Sequence, residues 1–111
     1  MAALLPIKNL ALVEKSGLRD VVTPCAGCFS RFKTANYVLE RDSELRRQIA
    51  GEIDYQEQVE IYNIVDFLTK YVGLPEIKSA VSNPLVGLKV APYYGCVLTR
   101  PPKVTGAQDP E

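Results

Sequence analysis

The chain of 111 residues has no histidine, no tryptophan and only three cysteines. No Ser/His/Asp set, paired-carboxylate site or nucleotide-binding fingerprint is present. A closed zinc site needs four cysteine or histidine ligands, so this sequence disfavours one. An odd number of cysteines is not typical of a secreted disulfide framework. The sequence therefore predicts a protein of a reducing, cytoplasmic compartment.

An excess of charge and a long apolar run are also missing. Thirteen basic residues balance thirteen acidic ones, so no basic stripe indicates a nucleic-acid partner. No segment is apolar for long enough to span a bilayer. Residues 1–13 lack a basic leader and are interrupted by Pro6 and Lys8, which argues against a signal peptide. They are typical of a helix that begins without a preceding loop, which predicts that the chain is part of a longer protein.

Helical and strand patterns alternate along the sequence. Helices are predicted at residues 3–16, 26–41, 42–50, 64–72 and 76–81, and strands at residues 20–24, 59–63 and 88–93. This order predicts an α/β fold with a small, mainly parallel sheet of about three strands flanked by helices. Residues 103–111 show no periodicity and are predicted to be a mobile tail, which leaves residues 1–102 as the folded unit.

The first two helices carry the apolar faces expected to form the core. On the first helix the residues predicted to be buried are Leu4, Ile7, Leu10, Ala11 and Leu12. On the second helix the apolar face comprises Cys28, Phe32, Ala35 and Leu39, and Phe29 widens it. Basic residues of this region alternate with acidic ones and are assigned to a solvated face.

All three cysteines follow predicted strands. Cys25 and Cys28 form a Cys-Ala-Gly-Cys motif after strand 20–24, and Cys96 follows strand 88–93. Ligands of doubly wound sheets bind beyond the carboxyl ends of the strands, so the thiols are expected near one rim of the sheet. Cys25 and Cys28 lie at a helix start, where N–H groups and the helix dipole favour thiolates.

The residue pattern alone leaves three interpretations of these thiols open. The first is ligation of an iron–sulfur cluster, and the second is a thioredoxin-like dithiol. The third is that the cysteines are small, partly buried structural residues of a domain without chemistry. A thioredoxin-like site usually has an aromatic residue before its first cysteine, whereas Thr23-Pro24 precedes Cys25 here.

Two segments together resemble the B subunit of heterodisulfide reductase. They are Thr-Pro-Cys-Ala-Gly-Cys-Phe at residues 23–29 and Leu-Lys-Val-Ala-Pro-Tyr-Tyr-Gly-Cys at residues 88–96, the latter followed by Arg-Pro-Pro at 100–102. Residues 9–15 also resemble the helix that precedes the family's first Cys-x-x-Cys. That family carries two copies of a cysteine-rich CCG domain. Each copy has an isolated cysteine, a Cys-Cys-Gly and a closing Cys-x-x-Cys.

The resemblance assigns each cysteine of this chain to the cofactor. It implies that Cys25 and Cys28 are the closing pair of the first copy and that Cys96 is the opening cysteine of the second. In the family such cysteines help to bind noncubane [4Fe–4S] clusters at which a heterodisulfide of two thiol coenzymes is reduced. The implied partners are other heterodisulfide reductase subunits and a thiol or disulfide coenzyme.

The departures from the family pattern imply a partial domain. Neither Cys-Cys-Gly is present, nor are the first copy's opening cysteine and the second copy's closing pair. Residues 1–102 would therefore join the end of one CCG copy to the start of the next. The isolated chain is expected to bind no intact cluster and to lack reductase activity. The apolar first helix and a sheet without neighbours also predict a homodimer.

Overall fold

The computed structural model describes residues 3–93 and 95–108, so Tyr94 of the family-like segment and residues 109–111 of the predicted tail lie outside it. Its helices are α1 (Leu4–Lys15), α2 (Ala26–Arg41), α3 (Ser43–Ala50), α4 (Ile64–Phe67), α5 (Leu74–Ala80) and α6 (Pro102–Thr105). Its strands are β1 (Asp20–Thr23) and β2 (Glu60–Asn63). A π-helical turn, Leu68–Val72, continues α4, and a 3-10 turn, Cys96–Leu98, precedes α6. Within the described part of the chain, no helix is both long and apolar enough to cross a bilayer.

β1 and β2 form a parallel ladder with α2 and α3 as the crossover between them. Asp20 lies opposite Glu60, and the register continues to Thr23 opposite Asn63. The Thr23 hydroxyl donates a hydrogen bond of 3.1 Å to the Tyr62 carbonyl across the strand ends. The predicted α/β fold with a small parallel sheet is therefore confirmed, with two strands among the described residues.

The core lies between α1, α2 and one face of the sheet. Its most deeply buried large side chains are Phe29, Ile7, Leu10 and Leu39. Ile49, Ile53, Val59 and Ile61 extend the same cluster from α3 towards β2. Helix spacing explains the α2 contribution, because Ala35 and Leu39 are one turn apart on the buried face.

The connection between α3 and β2 is fixed to this core by polar contacts. The Glu14 carboxylate accepts hydrogen bonds from the backbone N–H groups of Gln56, at 2.7 Å, and Gln58, at 2.8 Å. The buried Tyr55 ring donates its hydroxyl to Asn36 Oδ1 at 2.9 Å. Burial raises the pKa of the Tyr55 phenol to about 12, so the hydroxyl remains a donor across the physiological pH range. These contacts hold the start of β2 beside α1 and α2.

Two residues assigned to apolar faces are exposed instead. Leu12 of α1 is 65% exposed, because the buried stripe is set by Ile7, Leu10 and Ala11. Cys28 of α2 is exposed, while its neighbour Phe29 is only 1% exposed. A single helical step of about 100° separates adjacent side chains, so burial of Phe29 turns Cys28 towards solvent. At the first turn of α2, the buried position is therefore occupied by Phe29 and not by Cys28, which had been predicted to lie on the apolar face.

The strand predicted at residues 88–93 is not formed. These residues have no ladder partner and are exposed throughout. The apolar pattern is real, but a strand needs a neighbouring backbone for its N–H and C=O groups. The described part of the chain provides no such neighbour for this segment.

The predicted boundary at residue 102 falls inside a folded element. α6 begins at Pro102, and both α6 and the 3-10 turn pack against α2. Thr105 is buried, and its hydroxyl donates to the Thr99 carbonyl at 3.0 Å. Residues 103–105 therefore belong to the folded unit, contrary to their assignment to the tail. Mobility of the following residues stays a prediction.

Candidate functional site

The Cys-Ala-Gly-Cys motif lies where β1 ends and α2 begins. Pro24, which has no N–H for the ladder, follows the last strand residue, Thr23. Cys25 is the N-cap residue of α2 with an extended backbone, at φ −95° and ψ 120°. Cys28 follows one turn later on the same side of the helix start, and the two cysteines border the same recess. The predicted proximity of Cys25 and Cys28 at a helix start is therefore confirmed.

The pKa values of the two thiols are shifted in opposite directions. The pKa of Cys25 is lowered, because the backbone N–H and the thiol of Cys28, together with the N–H of Gly27, favour the ionised form of its sulfur. The hydrogen bond to Cys25, and the negative charge that Cys25 carries once ionised, raise the pKa of Cys28. A Cβ placed on Gly27 would lie 3.7 Å from the Cys25 sulfur, so that sulfur sits directly beside the glycine. Cys25 is therefore the more acidic thiol of the pair and the one that forms a thiolate first as the pH rises.

An open hollow of about 480 Å³ surrounds the pair, between the start of α2 and the first turns of α1. Its remaining lining residues are Leu5, Pro6, Asn9, Gly27, Arg31 and Phe32. Most of this lining is apolar, and Arg31 contributes a cation. The exposed sulfurs therefore lie in a recess that has room for a group larger than water.

The hollow was not predicted from the sequence, which placed Arg31 on a solvated face and Phe32 in the core. The usable signal was helical spacing, since Arg31 and Phe32 lie three and four residues after Cys28. Leu5, Pro6 and Asn9 carried no such signal, because the docking of α1 beside the start of α2 is a tertiary contact.

Cys96 is exposed at the start of the 3-10 turn and does not line the hollow of the cysteine pair. Over residues 3–93 and 95–108, no three or more ligating side chains come together as a metal site. The structure thus brings together two of the three predicted thiols. Assignment of Cys25, Cys28 and Cys96 as cofactor ligands stays a prediction.

Alkylation should distinguish the two thiols of the pair. Because its pKa is lowered, Cys25 should react with iodoacetamide faster than Cys28 at neutral pH, and its rate should reach a plateau at a lower pH. Peptide mapping by mass spectrometry across a pH series measures both rates. Cys28→Ala removes the thiol donor and should shift the Cys25 profile to higher pH.

Cys28→Ser is the matched control for this experiment, because its hydroxyl can still donate to the Cys25 sulfur. It should preserve more of the Cys25 reactivity than Cys28→Ala does. Equal profiles for Cys25 and Cys28 would contradict the asymmetry of the pair.

Sequence comparison shows which known proteins this chain is similar to. The chain is 38% identical over 101 residues to the B subunit of the ferredoxin/F(420)H(2)-dependent CoB-CoM heterodisulfide reductase of Methanosarcina acetivorans, an alignment covering 86% of this chain and 33% of that protein. It is 36% identical over 109 residues to the B subunit of the ferredoxin:CoB-CoM heterodisulfide reductase of Methanosarcina mazei, covering 94% of this chain and 36% of that protein. This chain is a relative of the heterodisulfide reductase B subunit. The resemblance found in its two cysteine segments is thereby confirmed.

The chain is also similar to a subunit of a different reductase. The membrane anchor subunit of the 8-methylmenaquinol:fumarate reductase of Wolinella succinogenes is 36% identical over 102 residues, covering 89% of this chain and 35% of that protein. No protein-family model matches the chain. The chain spans about a third of the length of each of these three relatives.

Proposed function

We propose that this chain is part of a cytoplasmic protein, similar to the B subunit of heterodisulfide reductase, that transfers electrons through iron–sulfur clusters to a disulfide. The observation that carries the proposal is the cysteine pair at the start of α2, exposed in an open recess, in a chain related to that B subunit. In this proposal Cys25 and Cys28 are ligands of one cluster, and Cys96 is a ligand of another. The other subunits of such a reductase and a thiol or disulfide coenzyme are the proposed partners.

The donor chemistry of the pair suits an iron–sulfur cluster. Such clusters are held by cysteine thiolates, and both sulfurs of the pair face solvent on one side of the helix start. A four-iron cluster takes about four cysteine ligands, whereas the pair supplies two. The proposal therefore requires ligands from outside the described residues. A bound cluster of the noncubane [4Fe–4S] type would supply electrons for cleavage of a disulfide.

The contribution of the protein residues follows from the geometry of the hollow. The backbone N–H groups of Gly27 and Cys28 favour the thiolate of Cys25, which is the form that binds iron. Leu5, Pro6 and Phe32 provide an apolar wall beside the sulfurs, and Arg31 adds a positive charge that balances anionic thiolates. Gly27 leaves space for a bulky group to approach the backbone.

The two neighbouring thiols, whose pKa values are shifted in opposite directions, also favour a second candidate, a dithiol module. One cysteine with a lowered pKa and a partner with a raised pKa are the elements of a nucleophile and a resolving thiol. In that case the 111-residue chain would reduce a small-molecule disulfide without iron and would end with a Cys25–Cys28 disulfide. The iron–sulfur proposal predicts no such turnover by the isolated chain.

Anaerobic reconstitution with iron and sulfide tests the proposal. The isolated chain should retain no stable cluster after desalting, because it supplies two thiolates from one site and one from the other. A longer protein that includes the remaining ligands should show the brown iron–sulfur absorption and bind about four irons per cluster. Retention of about four irons by the isolated chain would contradict the division of the cysteines between sites. A colourless longer protein with disulfide reductase activity would favour the dithiol module.

A further inference from the structure

A cation lies on α2 one turn beyond the cysteine pair. Cys25, Cys28 and Arg31 are spaced three residues apart, and all three line the same hollow. Residues three apart are neighbours on the surface of a helix, so Arg31 is next to Cys28 on α2. The start of one helix therefore brings two sulfurs and a guanidinium to one recess.

Helix geometry directs the Arg31 side chain towards the cysteines. Long side chains of an α-helix tilt towards its N-terminus and lie over the residues three and four positions earlier. For Arg31 these residues are Cys28 and Gly27. Gly27 has no side chain to occupy that space, and a Cβ built there would lie 3.7 Å from the Cys25 sulfur. The turn over which Arg31 leans therefore carries the two sulfurs and an open glycine position.

Arg31 is the charged residue of this hollow. The other described residues of its lining are apolar or neutral, apart from the two thiols. The remaining cations of α2 have carboxylate partners elsewhere, since Lys33 pairs with Glu60 at 3.1 Å and Arg41 pairs with Glu40 at 2.6 Å. A charge beside an apolar wall acts more strongly than one in bulk water, because the local dielectric constant is lower. Among the described residues, Arg31 is therefore the side chain placed to act by its charge on a group held at the pair.

We propose that Arg31 raises the reduction potential of the cluster held by Cys25 and Cys28. The potential of an iron–sulfur cluster depends on its net charge, on hydrogen bonds to its sulfurs and on its exposure to solvent. Reduction adds a negative charge, which a neighbouring cation stabilises. Cys96 does not line the hollow, so Arg31 favours an electron on the cluster of the pair over one on the cluster assigned to Cys96. This inference rests on the proposed iron–sulfur function.

Redox titration of a protein of the relatives' length that carries this chain, followed by electron paramagnetic resonance, tests the proposal. The cluster of the pair is identified as the signal that Cys25→Ser removes. Arg31→Gln should lower the equilibrium constant for one-electron reduction of that cluster about tenfold, which is a midpoint potential about 59 mV more negative. Arg31→Lys keeps the charge and should recover most of the wild-type potential.

Arg41→Gln is the matched control for the titration. Arg41 lies on the same helix about 15 Å further along its axis, which exceeds the Debye length of about 8 Å at physiological salt. This variant should leave both potentials unchanged, and Arg31→Gln should leave the Cys96 cluster unchanged. An unaltered potential of the pair's cluster in Arg31→Gln, or an equal shift of both clusters, would overturn the proposal.

Alkylation of the 111-residue chain tests the position of the charge without a cluster. Iodoacetate is an anion and iodoacetamide is neutral, and both react with the same thiolate. The ratio of their rates therefore reports the local electrostatic field and not the fraction of thiol that is ionised. Arg31→Gln should lower this ratio at Cys25 and Cys28 on the order of twofold at low ionic strength, whereas Arg41→Gln should not.

The two experiments separate a failure of this inference from a failure of the proposed function. An equal rate ratio in the wild-type chain and in Arg31→Gln would overturn the placement of the charge beside the sulfurs, and the proposal with it. A longer protein that binds no cluster, together with a lowered ratio in Arg31→Gln, would overturn the proposal by removing the function on which it rests. A lowered ratio together with a more negative potential of the pair's cluster would support it.

Discussion

Cys25→Ser, made in a protein of the relatives' length that carries this chain, is expected to abolish one iron–sulfur signal and spare the other. A serine hydroxyl does not replace the thiolate that these clusters require. Cys28→Ser should have the same effect, because both thiols lie at the same helix start. Cys96→Ser should remove the other signal, since Cys96 does not line the hollow of the pair.

Electron paramagnetic resonance of the reduced, anaerobically purified proteins measures these losses, and iron counting checks them independently. The variants of the pair and the Cys96 variant serve as controls for each other, because each replaces an exposed cysteine by a serine of similar size. Equal loss of both signals from any one substitution would argue for a single shared site. Retention of both signals in all three variants would remove the cysteines from the ligand set.

Phe29→Ala is expected to give the largest loss of stability in this chain. Phe29 is 1% exposed at the centre of the core, and truncation of a buried phenylalanine costs about 3–5 kcal/mol. Domains are typically stable by about 5–15 kcal/mol, so the variant should unfold at a much lower urea concentration. Phe32→Ala provides the control on the same helix, because Phe32 is only partly buried and lines the hollow. Its loss should be clearly smaller, and equal losses would contradict the placement of Phe29 as the central core residue.

Local signals were sufficient to predict most elements. The bounds of α2 were predicted at residues 26–41, because Pro24 ends β1 and apolar spacing persists to Leu39. The sequence offers Asp42 or Ser43 as the cap of α3, and Asp42 takes that role, its carboxylate accepting from the N–H groups of Glu44 and Leu45. These features depend on neighbours within one or two turns, which a sequence displays directly.

Parallel pairing of β1 with β2 was predicted, but other features that depend on distant neighbours were not. The strand at residues 88–93 was inferred from apolar alternation, but strand formation is decided by a partner that the pattern cannot specify. The exposure of Leu12 follows from where α1 rests on α2, which no spacing within α1 encodes. The hollow beside the cysteines was not predicted for the same reason, because Leu5 of α1 and Arg31 of α2 come together there only when the two helices pack.

The position of Cys25 implies a conflict between folding and chemistry. Helices usually begin with a serine, threonine, aspartate or asparagine whose oxygen caps the first turn, but the Cys25 side chain makes no such capping hydrogen bond. The N–H groups of Gly27 and Cys28 favour its ionised form instead, which lowers the pKa of Cys25. Serine at position 25 should therefore cap α2 better while abolishing the thiolate. Stability would improve as the proposed cluster ligand is lost, so an evolutionary or laboratory selection for stability alone would tend to remove this cysteine.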